Sequence, residues 1–214
     1  TPGTITSSQV LDETKNNYLM GIVYMDGIYG ISTADISTGD FMVTEVDSDR
    51  ELFDEINKFS PSEIICNNAF YMSGVDMDEL KNRYQVVISA LDSRFFGEES
   101  CRRILMEHFK VGALVGLGLE DYATGIIAAG AVMQYIYETQ KSTLEHITTI
   151  TPYSTGQYMV IDTSTRRNLE LVETMREKQK RGTLLWVLDK TKTAMGARLL
   201  RACIEQPLIH RDEI

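Results

Sequence analysis

Runs of apolar residues bounded by turn signals fill the first hundred residues of this chain. The continuous apolar run Tyr18–Met25 predicts a buried strand, and Asp26-Gly27 is a turn dipeptide that leads into a second strand. Elsewhere in this region, apolar residues recur at helical spacing between polar ones. Further strands are predicted at residues 28–36, 40–46, 63–66 and 84–91, and helices at residues 49–59, 76–82 and 97–110.

The order of these elements, βββαβαβα, indicates the class of fold. Three consecutive strands joined by short turns predict an antiparallel meander, whereas the later alternation of strands and helices is typical of parallel pairing. Together they predict an α/β domain in which helices cover a mixed sheet. This is the ribonuclease-H-like plan.

A glycine-rich segment separates this region from a second one. Residues 112–118 contain Gly112, Gly116 and Gly118, which we interpret as a domain boundary and a hinge. The opening residues, Thr-Pro-Gly-Thr, have the composition of a linker. We therefore divide the chain into a linker at residues 1–16, a mixed-sheet domain at 17–111, the hinge at 112–118 and a helical region at 119–214.

The helical region begins with a long predicted helix at residues 119–139, in which the small residues 128–131 allow a close approach to a neighbour. Asp162, Thr183 and Thr193 each precede a short helical pattern and can accept hydrogen bonds from its first amides. Trp186, the only tryptophan, needs a large apolar surface to cover it. These short helices lack enough mutual surface for a compact unit, so we expect a mostly α-helical, incomplete second domain.

Charge is distributed unevenly between the two regions. The net charge is −10, but residues 1–161 hold 10 Lys/Arg against 23 Asp/Glu, whereas residues 162–214 hold 11 against 8. Any surface that faces phosphates therefore belongs to the second region. A solvated helix face with ion pairs explains the same charges, and we favour it. The residues assigned to contacts with other domains or with phosphates are Asp162, Arg166, Arg167, Asn168, Arg198 and Arg201.

Cysteine spacing and hydropathy indicate the compartment. The three cysteines are far apart in the sequence and form no CxxC motif, which favours reduced thiols over disulfides. No apolar run is long enough to cross a membrane, and the first residues lack the basic start and apolar core of a signal peptide. We therefore expect a cytoplasmic protein without a membrane partner.

Motifs that would indicate catalysis are missing from the sequence. None of the 15 glycines is followed by lysine, so we expect no phosphate-binding P-loop in this chain. A ribonuclease-H-type nuclease needs carboxylates that converge on two metal ions, starting in the first strand, but Tyr18–Met25 contains none. Asp26, Asp35 and Asp92 would serve only if the fold gathered them. We assign no catalytic, metal-binding or cofactor-binding residue.

Several stretches resemble the MutS family of DNA mismatch-repair proteins. GIVYMDGIYGISTADISTGDF is similar to the family's connector domain, and TPGT to the linker before it. DTSTRRNLEL and GTLLWVLDKTKTAMGARLLRACIEQPL resemble the start of the helical core, which leads into long lever helices. GLGLEDYATGIIAAGAVMQYIYETQ resembles the transition between the two.

The resemblance implies a fragment that spans the connector and the first part of the core of such a protein. The intact family protein binds mismatched double-stranded DNA as a homodimer, uses ATP and Mg²⁺ in a C-terminal domain, and recruits MutL. The connector and core would relay conformational change between the mismatch-binding and ATPase domains, and the connector would offer a docking surface for MutL. A metal-dependent nuclease of the same fold and a stand-alone protein-interaction module are the alternatives.

Overall fold

A computed structural model describes residues 2–4, 16–140, 144–156, 158, 159, 161 and 163–213. Within these ranges the chain forms six strands and eight α-helices. The strands are β1 (Tyr18–Met25), β2 (Ile28–Asp35), β3 (Asp40–Val46), β4 (Glu63–Cys66), β5 (Val87–Ala90) and β6 (Thr151–Pro152). The helices are α1 (Asp49–Phe59), α2 (Asn68–Tyr71), α3 (Met77–Tyr84), α4 (Glu98–Phe109), α5 (Ala123–Thr139), α6 (Thr163–Asn168), α7 (Leu184–Leu188) and α8 (Ala194–Glu205).

A mixed sheet forms the centre of the first unit, which comprises the described residues from 2 to 153. Its strand order is β5-β4-β1-β2-β3-β6. β1, β2 and β3 pair antiparallel, while β4 pairs parallel with β1, β5 with β4, and β6 with β3. The prediction of a ribonuclease-H-like mixed sheet followed by a mostly helical region is confirmed.

Local signals explain where these elements begin and end. Asp26 and Gly27 adopt positive φ angles of 52° and 83°, as a two-residue hairpin turn requires. Ser48 caps α1 by accepting a hydrogen bond from the Glu51 amide, and its hydroxyl donates to the Glu51 carboxylate. A left-handed backbone at Ser60 then ends the helix. Because such signals act over a few residues, most predicted bounds lie close to the observed ones.

The sheet is buried on both faces, which explains the continuous apolar run of β1. Leu19 packs into one core cluster and Met20 into the other, since successive side chains of a strand point to opposite faces. α4 and α5 cover the first face, and α1 and α3 cover the second. β1 is therefore a central strand with no exposed side.

Glycines let α5 lie close against its neighbours. A methyl group on Gly21 would lie 2.4 Å from a valine side chain of α5, and one on Gly30 would lie 2.4 Å from the Thr124 carbonyl group. A methyl group on Gly130 would lie 2.3 Å from Cys101 Cβ on α4. These distances are shorter than carbon contacts permit, so larger side chains do not fit. The predicted close approach at residues 128–131 is confirmed.

The start of α5 is also held by the sheet. Tyr122, the residue before the helix, provides no side-chain cap. The Glu45 carboxylate of β3 accepts hydrogen bonds instead, from the amides of Thr124 at 2.6 Å and Gly125 at 2.8 Å. A carboxylate at a helix N-terminus satisfies free amides and complements the helix dipole. α5 is thus attached to the sheet at its end as well as along its length.

α5 belongs to the first unit, whereas the sequence predicted it to begin the helical region. Its side chains share one core with those of β1, β3 and α4. Leu114 and Leu119, on either side of Gly116 and Gly118, are buried in that same core. The predicted hinge of Gly112, Gly116 and Gly118 therefore lies within one packed unit instead of between two. α5 is apolar on nearly all sides, so its sequence pattern does not indicate which unit it packs against.

The predicted linker, residues 1–16, is described only at residues 2–4 and 16. Gly3 and Thr4 are buried. The Gly3 amide donates a hydrogen bond to Glu63 Oε2 at 2.9 Å. The described part of this segment therefore packs on the first unit.

The second unit comprises the described residues from 158 to 213. Thr183 caps α7 and Thr193 caps α8, as predicted. Within the described residues, no helix is both long and apolar enough to cross a membrane. The large apolar side chains that the second unit exposes are Met159, Leu169, Met175, Leu184, Trp186, Val187, Leu188, Met195, Leu199 and Ile209.

Gly130→Ala should destabilise the protein, although alanine favours helix formation over glycine by about 1 kcal/mol. The added methyl group would overlap Cys101, so α4 and α5 must move apart, and overpacking of this kind costs about 1–3 kcal/mol. We expect this loss in the free energy of unfolding, measured by urea denaturation. Gly112→Ala is the control, because no atom lies within 4 Å of its added methyl group. Equal losses in both variants would contradict the close packing at Gly130.

Candidate functional site at the junction of the two units

The two units are joined by a crossing segment that follows β6. Tyr153 still belongs to the first unit, since its amide donates to a carbonyl of β3 at 3.0 Å and its carbonyl accepts from Thr44 Oγ1 at 2.7 Å. Gly156 has a φ of 102°, which favours glycine, and no atom lies within 4 Å of where its Cβ would be. Tyr158 belongs to the second unit through a β-bridge with Leu208. The change of unit therefore occurs around Gly156.

Four side chains meet at this crossing, and we call Glu55, Lys58, Tyr153 and Tyr158 the junction cluster. Lys58 Nζ lies 3.5 Å from Glu55 Oε2, and the Tyr153 hydroxyl donates to the same oxygen at 2.5 Å. Nζ also lies 4.2 Å from the ring centroid of Tyr153 and 4.5 Å from that of Tyr158. The Phe59 ring of the first unit lies 4.8 Å from Nζ, so the ammonium group contacts a carboxylate of α1, two aromatic rings of the first unit and one ring of the second.

Burial shifts the proton affinities in the junction cluster. The side chains of Lys58 and Glu55 are only 11% and 7% exposed. Desolvation lowers the pKa of Lys58, and the charge of Glu55 opposes this shift. Desolvation raises the pKa of Tyr153 well above its usual value, and the charge and hydrogen bond of Glu55 raise it further. Tyr153 therefore keeps its proton and donates to Glu55 across the neutral pH range.

The last turn of α1 also makes hydrogen bonds to the second unit. Asn57 Nδ2 donates to the Ile161 carbonyl at 2.9 Å. Gln206 Nε2, at the end of α8, donates to the Lys58 carbonyl at 3.3 Å. Contacts of α6, α7 and α8 with other elements of the first unit are sparse. The end of α1 is therefore the principal attachment point of the second unit.

Within the second unit, Arg166 ties the crossing segment to α8. Its Nε donates to the Ile161 carbonyl at 3.1 Å, and a terminal nitrogen donates to the Glu205 carbonyl at 3.3 Å. Burial lowers the pKa of this guanidinium, and the charge of Glu205 opposes the shift. The Met159 amide donates to the Pro207 carbonyl at 2.7 Å. The crossing segment and the end of α8 thus form one connected piece.

A cleft of about 430 Å³ lies between α1 and the crossing segment. Its walls carry charges of both signs, so it favours neither an anionic nor a cationic ligand. Burial raises the pKa of Asp54 in this wall, and the charge of Arg50 opposes the shift. The charged side chains of its walls can form hydrogen bonds with water between the two units. The charged lining residues are Arg50, Glu51, Asp54, Glu55, Lys58, Arg166 and Glu205.

The predicted contact residues fall into different settings. Arg198 reaches the first unit, where a terminal nitrogen donates to Ser37 Oγ at 3.2 Å. Arg201 pairs with Glu205 of its own helix at 3.3 Å. Arg166 contacts carbonyl groups within the second unit. Arg167 and Asn168 are exposed on α6, and Asp162 lies outside the described residues. A role in phosphate binding stays a prediction for all six.

Sequence reasoning missed the residues that join the units. Glu55 and Lys58 are three positions apart on one helix, which indicates only a local ion pair. Their partners Tyr153 and Tyr158 lie in an irregular segment nearly a hundred residues later. No spacing rule connects the two segments, so only the fold identifies the cluster.

The carboxylates that a nuclease would need are separated and serve structural roles. Asp35 is buried and accepts hydrogen bonds from the amides of Asn17 at 3.0 Å and Ser37 at 2.8 Å, and from the Ser37 hydroxyl at 2.6 Å. Asp92 caps a short 3₁₀ helix, and Asp26 lies in the first hairpin turn. In the part of the chain that the structure describes, no three His, Cys, Asp or Glu side chains are grouped as metal ligands.

Comparison with known proteins identifies the family of these two units. The sequence profile of MutS domain II matches residues 17–148, and that of MutS domain III matches residues 164–214. The chain belongs to the MutS family. The MutS domain II profile includes α5, in agreement with the packing of this helix on the sheet. The two tyrosines of the junction cluster lie between the two matches, whereas Glu55 and Lys58 lie within the domain II match.

Curated relatives carry the same family name over the whole chain. The DNA mismatch repair protein MutS of Lachnoclostridium phytofermentans is 61% identical over 100% of this chain. The proteins of that name from Ruminiclostridium cellulolyticum and Acetivibrio thermocellus are 45% and 46% identical, again over 100% of the chain. The chain covers 23%, 24% and 25% of these three MutS proteins. It therefore spans about a quarter of the length of the curated relatives it matches.

Tyr153→Phe should reduce the loss of stability that we expect at alkaline pH. The folded pKa of Tyr153 is raised above its ordinary value of 10.0, so the unfolded chain releases this proton first. The stability that depends on it is fully present below about pH 10 and is lost as the pH rises further. In urea denaturation across this range, the wild-type chain should lose up to about 1.4 kcal/mol per pH unit more than the variant.

Deprotonation of Lys58 changes the stability in the opposite direction as the pH rises. Its folded pKa is lowered, so the folded chain releases the proton first and stability rises with pH up to the unfolded pKa. This contribution is common to the wild-type chain and to Tyr153→Phe, so their difference isolates Tyr153. Tyr71→Phe is the control, because Tyr71 is 41% exposed. Parallel profiles for the wild-type chain and Tyr153→Phe would contradict the buried contact with Glu55.

Proposed function

We propose that this chain is the connector and the first part of the core of a MutS-type mismatch repair protein, and that it relays conformational change between the DNA-reading and ATP-hydrolysing parts. The observation that carries the proposal is the match of MutS domains II and III to two units that are joined mainly at the end of α1. A relay needs two bodies and a joint between them. The sheet domain is one body, the helices tied by Arg166 are the other, and Gly156 lies at the joint.

The partners follow from the same assignment. The whole protein binds mismatched double-stranded DNA as a homodimer in the cytoplasm, and ATP and Mg²⁺ bind outside this chain, which acts without catalysis. MutL docks on the first unit. The supporting observation is the excess of acidic residues before residue 162, because this charge disfavours DNA and suits a protein partner.

The exposed apolar side chains of α7 and α8 support a place inside a longer protein. Trp186 is 49% exposed, Leu199 68% and Met195 80%. Large apolar side chains grouped on a soluble surface normally pack against another element. The relatives are about four times as long as this chain, and further helices of such a protein cover this face.

A chimera tests the proposal. This chain replaces the matching quarter of the Lachnoclostridium phytofermentans MutS, to which it is 61% identical. We expect the chimera to restore mismatch repair in cells that lack their own MutS, because the contacts of both units with the remaining domains are retained. The measurement is the spontaneous mutation rate, with the intact relative as reference. A chimera that accumulates as a folded protein but leaves the mutation rate high would contradict the relay.

Removal of residues 17–148 from the chimera tests the docking of MutL. This deletion removes most of the first unit and the docking surface with it. We expect the shortened chimera to bind mismatched DNA without retaining MutL on that DNA, measured by surface plasmon resonance with immobilised DNA. Equal retention of MutL by the complete and the shortened chimera would place the docking surface elsewhere.

A further inference from the structure

Three hydrogen bonds and one cation–ring contact join described residues of the second unit to the first unit. Two consecutive residues at the end of α1, Asn57 and Lys58, make most of them. Asn57 donates to the Ile161 carbonyl, the Lys58 carbonyl accepts from Gln206, and the Lys58 ammonium faces the Tyr158 ring. A hydrogen bond from Arg198 adds one contact at a distance from this point. The second unit is therefore attached mainly at one place.

Separation at this surface would leave groups that water can satisfy. The hydrogen bonds would be exchanged for bonds to water, which makes their net contribution small. Lys58 would regain the hydration that burial removes, and its lowered pKa shows that this burial is unfavourable for the charge. Charged side chains also line the neighbouring cleft. Opening thus exposes hydrogen-bonding groups that water can satisfy, whereas separation of α5 from the sheet would expose the buried apolar side chains of its core.

The chain between the units permits such a movement. Tyr153 is fixed to β3 and Glu55, and Tyr158 is fixed to Leu208. Between these anchors, Gly156 has a positive φ and open space around it. Glycine changes its backbone angles at little steric cost. Rotation about this residue would turn the second unit without disturbing either anchor.

We propose that the junction cluster is a latch in which Lys58 grips the ring of Tyr158, and that its release lets the second unit turn about Gly156 while both units stay folded. The inference deepens the proposed relay, because it names the contact that holds one of its two arrangements. The closed arrangement is the one in which Lys58 lies between Glu55 and the two tyrosine rings.

The cysteines allow a direct measurement of this movement. Cys66 and Cys101 are buried, and burial raises the pKa of each thiol to about 12, so neither reacts at neutral pH. Cys203 on α8 is exposed. A spin label on Cys203 and another on Glu99→Cys, at an exposed position of α4, report the distance between the units by double electron–electron resonance.

Tyr158→Ala removes the ring and should raise the population at long distance by at least about threefold, because a desolvated lysine loses a cation–ring contact. Tyr158→Phe is the matched control, since it keeps the ring face and should leave the distances unchanged. Gln206→Ala removes the hydrogen bond to Lys58 and should shift the distances in the same direction as Tyr158→Ala. Amide hydrogen exchange of β1 should stay the same in all variants, which shows that the first unit is folded.

Two results would contradict the proposal that the junction cluster is a latch. One is an identical distance distribution in the wild-type chain and Tyr158→Ala. The other is equal opening in Tyr158→Phe, which would assign the contact to the hydroxyl group instead of the ring. The relay is judged separately, by repair in the chimera. If Tyr158→Ala opens this chain but the chimera does not restore repair, the latch is supported and the relay is contradicted. If the chimera restores repair but Tyr158→Ala does not open this chain, the relay is supported and the latch is contradicted.

Discussion

The first unit depends on how closely α5 can approach its neighbours. Gly21 and Gly30 leave a flat area on the sheet, and Gly130 leaves room for Cys101 of α4, so α5 packs closely at these three positions, where glycine has no side chain to intervene. Contact over such an area is dense and apolar, and it loosens as soon as a methyl group is inserted. Because α5 and α4 fill one face of the sheet, α1 must cover the other. The end of α1 then lies beside Tyr153, where the chain leaves the sheet.

The molecule therefore contains two kinds of interface with opposite properties. Separation of α5 from the sheet would expose a large apolar core to water, so this contact is permanent on the time scale of folding. Separation at the end of α1 would expose a lysine, a glutamate and a few amide groups, which water hydrates well, together with the faces of tyrosine rings. A movable joint requires strong packing within each unit and weak contacts between the units.

Elements with local signals were predictable from the sequence, and long-range contacts were not. β1, β3 and β4 begin and end at the predicted residues, and Ser48 caps α1 as its spacing with Glu51 indicates. α5 was assigned to the wrong unit because an apolar pattern gives no direction to a partner. β6 has only two residues and pairs with a strand about a hundred positions earlier, so no local sequence pattern predicts it. The junction cluster was missed for the same reason.

The junction cluster fixes the relative orientation of the two units more than it stabilises their association. Apolar residues in place of a buried ion pair often stabilise a protein as well or better, because charges lose hydration on burial. An apolar contact would also tolerate sliding, since it has no directional preference. The ammonium of Lys58 has a fixed carboxylate on one side and ring faces on the others, so Tyr158 must present its face for the contact to form. The two units thus meet in one defined arrangement, held weakly enough that forces from other domains can change it.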